Sequence, residues 1–302
     1  DFLLADDIFN RGGSFLTMSR FKPSDKNFEE DFNLDLFVKN NVKLLVTVGG
    51  DDTASTANRI AKFLAAKKYP IANIHVPKTI DNDLWGTDMT FGFQSAVDIA
   101  TQVIDCIHTT ATSHGRIFCV EIMGHKVGWL PLYAGIAGGA DVILLPEIPY
   151  DIDKIAKTLD NRIANGKKFS ILAVAEGALS KEEAAMKKKD FKKARAEMKY
   201  PSIVYRLADE LASRVDNEIR VCVPGHFQRG GSPCAYDRVL STRFGAAAAR
   251  LIREKNYGNM VGLVNGKIVP VPLSEVAGKL KTVPVDCEEI LAAREIGISF
   301  GD

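Results

Sequence analysis

The sequence has 302 residues, 39 Lys and Arg against 38 Asp and Glu for a net charge of +1, and 46% hydrophobic residues. That balance excludes a global pull towards nucleic acid or an anionic membrane, and the length suits one large or two ordinary globular domains. No apolar run reaches the roughly 18–20 residues of a membrane span, and the start DFLLADDIFN lacks a basic region or cleavage-like site, so the expected location is the cytoplasm. Cys106, Cys119, Cys222, Cys234 and Cys287 are odd in number, far apart and mostly within apolar runs, and they read as reduced, buried thiols.

From Val42 onward short β-branched runs alternate with longer helical patterns. VKLLVTV precedes TASTANRIAKFLAAKK, IANIHV precedes FGFQSAVDIATQVIDCIHTTA, and RIFCVEIM precedes VGWLPLYAGIA. DVILLP then precedes DIDKIAKTLDNRIA, FSILAVA precedes a charged helical stretch from Ser180 to Lys199, and EIRVCVP precedes AYDRVLSTRFGAAAARLIREK. Continuous apolar strands between helices predict an α/β fold with parallel sheet covered on both faces. The charged stretch reads as a solvated helical excursion. Asn265-Gly266 between two apolar runs predicts a hairpin.

In such sheets ligands gather where strands run into helices. After the first strand comes GGDDT, whose glycines allow a tight turn and whose helix start attracts phosphate. Asp51 and Asp52 oppose a bare anion site, so phosphate bridged by Mg²⁺ resolves the conflict, although a helix N-cap also explains one of the two. After the second strand, PKTIDND places Lys78, Thr79, Asp81 and Asp83 together. A carboxylate there suits proton abstraction from a hydroxyl during phosphoryl transfer, and an Asx-rich turn explains the same composition. GHFQRGG after the sixth strand gathers His226 and Arg229, with Arg220 upstream, as donors for a phosphate monoester. Arg116 opens the third strand, where a surface arginine is the default.

These loops, in this order, resemble the phosphofructokinase family over nearly the whole chain, from about Asn10 onward. The resemblance runs through NRGGSFLTMSRF, GGDDT, PKTIDND, SHGRIFCVEIMGH, GGADVILLPE, AEG and GHFQRGGSPCAYDR. It implies two similar three-layer α/β/α domains with mostly parallel sheets and an active site in the cleft between them. Residues 1–92 with 231–277 would form the phosphoryl-donor domain, whose first strand and glycine-rich loop would precede residue 1. Residues 93–230 with 278–302 would form the fructose 6-phosphate domain.

The resemblance also implies roles. Asp81 matches the general base for the sugar 1-hydroxyl, with Thr79, Lys78 and Asp83 beside it, and Asp51 the magnesium-associated aspartate. Gly50, Asp52 and Arg20 match donor-binding positions. Met123, Gly124 and Glu176 match sugar contacts, with His125 standing where most relatives have arginine. His226 and Arg229 match the 6-phosphate clamp. Arg116 and Arg220 match arginines that reach that phosphate from a neighbouring subunit, which implies a homodimer or homotetramer. Asp52 stands where ATP-using members have glycine, and a carboxylate there would repel a nucleotide α-phosphate. Together with Lys78 it leads to the expectation of reversible, pyrophosphate-dependent phosphorylation of fructose 6-phosphate. An ATP-dependent enzyme and a non-catalytic regulatory subunit are the alternatives. Neither nucleic acid nor membrane is expected as a partner.

Overall fold

The computed structural model describes residues 7–18 and 23–302. Its strands, in chain order, are β1 (Leu44–Gly49), β2 (Ala72–Thr79), β3 (Phe91–Gly92), β4 (Ile117–Ile122), β5 (Val142–Leu144), β6 (Ser170–Ala175), β7 (Ile219–Cys222), β8 (Asn259–Val264) and β9 (Lys267–Pro272). The chain divides into two compact units, Asp1–Gln94 with Gly231–Lys281 and Ser95–Gly230 with Thr282–Asp302.

The first unit carries a sheet of order β1-β2-β8-β9, with β3 beside β2. All pairs are parallel except β8–β9, which Asn265 and Gly266 close with φ of 49° and 77°. Two successive positive φ angles belong to the turn whose twist matches a hairpin, which is why Asn-Gly occupies it. Helix Asp51–Ala66 packs on β1 and β2, and helix Ala235–Arg253 packs on β2, β3, β8 and β9. The second helix buries Leu240, Phe244 and Leu251 against Ile74, Val76 and Val261. Each such side chain withdrawn from water stabilises the unit by roughly 1.5–3 kcal/mol.

In the second unit the sheet is wholly parallel, in the order β5-β6-β4-β7. Its core joins Ile117, Cys119, Val142, Leu144, Leu172 and Val174 of the strands to Leu159, Val204, Leu207 and Leu211 of the helices. The expected α/β alternation is therefore present in both units. The five cysteines are free, but only Cys119 is buried and Cys106 is exposed, which corrects the uniform burial expected of them.

The charged stretch departs from a single solvated helix. It breaks into Lys181–Ala184 and Lys188–Ala196, and Glu183, 6% exposed, accepts from both Arg195 and Arg206. Paired guanidiniums make that buried carboxylate tolerable and pin the excursion to the body. Helices Ile203–Ala212 and Glu288–Glu295 have no counterpart in the patterns above. Among the described residues no helix is long and apolar enough to cross a membrane.

Candidate active site

In the first unit, β1 and β2 end side by side, Gly49 pairing with Pro77. Buried His75 stitches the two ends, its Nε2 3.1 Å from the Gly49 carbonyl and its Nδ1 2.8 Å from Thr47 Oγ1. Burial holds its pKa down at about 4, so the ring is neutral. Gly50 caps helix Asp51–Ala66 in an extended conformation, with Asp51 and Asp52 in the first turn. A Cβ on Gly50 would lie 3.4 Å from Thr79 Cβ, so the first loop runs directly past the end of β2.

Thr79 Oγ1 accepts the Asp81 N–H at 3.1 Å, which sets the turn into the carboxylate loop. Asn82 follows at φ 54°, a left-handed conformation that Asn tolerates, and is held by Thr90 N–H donating to its Oδ1 at 3.0 Å. Thr90 Oγ1 also donates to the Thr79 carbonyl at 2.8 Å. Asp83 is 7% exposed. Burial first, then the charges of Asp81 and Asp51, push its pKa up to about 6, against the opposing pull of Lys281. The structure therefore brings Asp51, Asp81 and Asp83 into one electrostatically coupled group, with Lys78 half-buried on β2 beside it. Asp88 is not part of that group. Its Oδ2 accepts from the Asn265 N–H at 2.7 Å and serves the hairpin turn.

The donor set can be tested against a magnesium ion. Among the described residues no group of three or more His, Cys, Asp or Glu side chains is arranged to hold a metal by itself. Asp83 Oδ1, however, is buried without a hydrogen-bond partner beside two further carboxylates. Excess negative charge with few protein ligands fits a hard cation that keeps water and binds one carboxylate plus substrate phosphate, which is the usual habit of Mg²⁺.

In the second unit, three loops converge at the carboxyl ends of β4, β6 and the segment after β7. Glu176 Oε1 accepts from the Gly124 N–H at 3.2 Å and the His125 N–H at 2.6 Å, while the Glu176 N–H donates to the Ile122 carbonyl. Both of these main-chain bonds go to Oε1 and neither uses the second carboxylate oxygen. Gly124 sits at φ 147°, and a Cβ there would fall 2.6 Å from the Val127 carbonyl oxygen, so only glycine makes this turn. Gln228, which the sequence reading passed over, is 2% exposed and joins the next loop. Its Oε1 accepts from the Met123 N–H at 3.1 Å and its Nε2 donates to the Gly225 carbonyl at 3.1 Å. The 3₁₀ turn Gly225–Arg229 is thereby fastened to the Met123 loop, with His226 and Arg229 exposed on it.

Arg116 and Arg220 are brought together elsewhere, both donating to the carboxylate of Glu218. They lie at the amino-terminal edge of the same sheet. Arg116 and Met123 are separated by the whole of β4, about 20 Å of extended chain. The partner observed for both arginines is Glu218, in their own chain. Arg20 lies outside the described residues.

The sequence pattern described as phosphofructokinase matches residues 4–252. The chain belongs to the phosphofructokinase family. A relative from Spirochaeta thermophila, named ATP-dependent 6-phosphofructokinase, is 49% identical over 98% of this chain and 82% of its own. One from Bacteroides thetaiotaomicron, named ATP-dependent 6-phosphofructokinase 3, is 44% identical over 97% of this chain and 82% of its own. The solved pyrophosphate-dependent phosphofructokinase from Marinobacter aquaeolei superposes with a TM-score of 0.77 over 99% of this chain and 77% of that one. At 24% identity it shares the fold alone.

As a phosphofructokinase the chain is a phosphotransferase. The expectation of pyrophosphate as donor is overturned, because the relatives at 44–49% identity carry the ATP-dependent name. Asp52 has a physical reason to stand where it does. It is exposed in the first helical turn, where the positive end of the helix dipole favours a carboxylate whatever the donor.

Proposed function

We propose that this phosphofructokinase transfers the terminal phosphoryl group of ATP to the 1-hydroxyl of fructose 6-phosphate. The observation that carries the reading is the coupled carboxylate group at the paired ends of β1 and β2, with Asp81 presented by its N–H bond to Thr79. The names of the relatives support ATP as the donor. The first unit would serve the donor and the second the sugar phosphate.

Asp81 acts as the general base. As the 1-hydroxyl oxygen attacks the terminal phosphorus, its O–H bond breaks and the proton passes to the Asp81 carboxylate. The new O–P bond forms while the bond from that phosphorus to the bridging oxygen breaks, leaving ADP. A base aimed at a bound hydroxyl accelerates such a step by about 10²–10⁴-fold. Mg²⁺, held by Asp51 and the donor phosphates, would supply charge neutralisation on the moving phosphoryl group. Gly50 lets the backbone approach the donor, and Lys78 adds positive charge beside it. Asp83 is buried, and the Asp81 carboxylate is one of the charges that hold its pKa up, so the two acids stand in one negative group.

On the sugar side, the free oxygen of Glu176 takes a hydroxyl, and the Met123–His125 backbone frames the ring. His226 and Arg229 hold the 6-phosphate, Arg through paired N–H donors. Arg116 and Arg220, paired with Glu218 at the far edge of their own sheet, would serve the 6-phosphate of a second copy, and a homodimer or homotetramer would then be the working assembly. Replacing Asp81 with Asn should lower kcat by about 10³-fold with KM for fructose 6-phosphate nearly unchanged, because the proton is transferred only in the transition state. A raised KM at unchanged kcat would remove Asp81 from that role.

A further inference from the structure

Lys281 lies two hundred residues after the carboxylate loop in the sequence and is folded onto it. Its main-chain N–H donates to the Asp83 carbonyl at 2.9 Å. Its ammonium donates to Asn82 Oδ1 at 3.0 Å, the Thr87 carbonyl at 2.8 Å and the Asp88 carbonyl at 3.0 Å. The preceding residue, Leu280, forms a bridge with Leu84, which is fully buried. One residue therefore holds both the near and the far limb of the loop that carries Asp81 and Asp83.

The contact continues to the reacting group. Asn82, the neighbour of Asp81, is kept in its left-handed conformation by bonds to Lys281 and to Thr90. Thr90 in turn fixes the carbonyl of Thr79, whose hydroxyl receives the Asp81 N–H. Asp81 is thus flanked on both sides by residues of one hydrogen-bonded chain that ends on the Lys281 ammonium. Three N–H donors meeting three oxygens in directions set by the loop is a geometry that a simple surface lysine does not adopt. The ammonium is also the positive charge opposed to Asp83 and Asp88.

We infer that Lys281 is a positioning residue for phosphoryl transfer, which fixes the conformation of the Asp81–Asp83 loop and through it the aim of the Asp81 carboxylate. The inference rests on the assignment of Asp81 as the base. Lys281 touches no reacting atom and acts through the loop alone.

The test compares wild type, Lys281→Met, Asp81→Asn and the double variant, with ATP, Mg²⁺ and fructose 6-phosphate. Lys281→Met keeps the apolar stem and removes the donors. It should lower kcat by about 100-fold, the effect of misplacing a reacting group by about an ångström. KM for fructose 6-phosphate should change by less than about threefold. Adding Lys281→Met to Asp81→Asn should then slow the enzyme by less than about twofold more, since a group that acts through Asp81 has nothing left to position. A further loss as large as in the wild-type background would overturn the inference, as would unchanged kcat in Lys281→Met. If Lys281→Met does not fold, Lys281→Arg, which keeps the charge and several donors, carries the same cycle with a smaller expected loss. Hydrogen exchange at the Asp81–Leu84 amides separates this inference from the donor assignment, since it needs no turnover. Exchange there should quicken by about tenfold or more in the Lys281 variant. Unchanged exchange would overturn the inference even if the wild type uses ATP, and wild type inactive with ATP would instead remove the functional reading.

Discussion

Asp83 illustrates how a single residue carries the cost of the site. Its pKa of about 6 lies above the ordinary 3.8 because burial and the charges of Asp81 and Asp51 disfavour the carboxylate. A carboxyl raised in the folded state costs nothing while protonated in both states, and its penalty grows from pH 3.8 to pH 6 and is full above that. Asp83→Asn should therefore stabilise the protein at pH 8 by on the order of 1–3 kcal/mol, and the gain should vanish near pH 4. Urea unfolding at pH 8, 6 and 4.5 reads this directly, and a gain independent of pH would show that the shift is absent. Turnover of the variant should fall by about tenfold or more, the usual exchange of stability for function. Added Mg²⁺ should raise the melting temperature of wild type more than that of Asp83→Asn. The grouping of Thr79, Asp81 and Asp83 was legible because all three fall within one short loop. Lys281 was not, because its partnership is tertiary and its surroundings, KLKTV, carry no motif. Asp52 was legible as a carboxylate at a helix start, and the pyrophosphate donor inferred with it is overturned by the name the relatives carry.

At the scale of elements, the alternation of strand and helix was readable throughout β1, β2, β4, β5, β6 and β7, because parallel strands covered on both faces are apolar along their whole length. Helix Ile203–Ala212 was hidden behind the charged run before it, although Ile203, Val204, Leu207 and Leu211 all face the core. Gln228 was likewise hidden. A glutamine between two glycines looks like loop polarity until its burial is known. Its side chain ties the turn bearing His226 and Arg229 to Met123, so Gln228→Leu should cost about 1–3 kcal/mol by leaving the Met123 N–H and Gly225 carbonyl without it. KM for fructose 6-phosphate should rise by about tenfold with kcat less affected, as for a loss of ground-state binding. Gly177→Ala offers an independent check on the neighbouring loop. Its Cβ would meet the His125 carbonyl oxygen at 2.4 Å, so the Met123–His125 turn must shift. A rise in KM for the sugar phosphate together with a lower melting temperature is expected, and wild-type values for both would show that the loop yields without consequence.

For the molecule as a whole, the proposed role of Arg116 and Arg220 at the 6-phosphate of a second copy is open to direct test. Asp81→Asn and the Arg116→Ala, Arg220→Ala pair should each be nearly inactive. Co-expressed, they should recover about a quarter of wild-type activity, because half of randomly formed dimers are mixed and each mixed dimer holds one intact site of two. Mixtures as inactive as either parent would confine both arginines to their own chain. The family was legible in the ordered loops, but the donor was not. Donor choice there was argued from Asp52 together with Lys78, and the relatives with nearly half their residues in common outweigh both. The most direct measurement is formation of fructose 1,6-bisphosphate from fructose 6-phosphate and Mg²⁺, with ATP and pyrophosphate supplied separately. The account predicts product with ATP. Product with pyrophosphate and none with ATP, from the same folded protein, would contradict it.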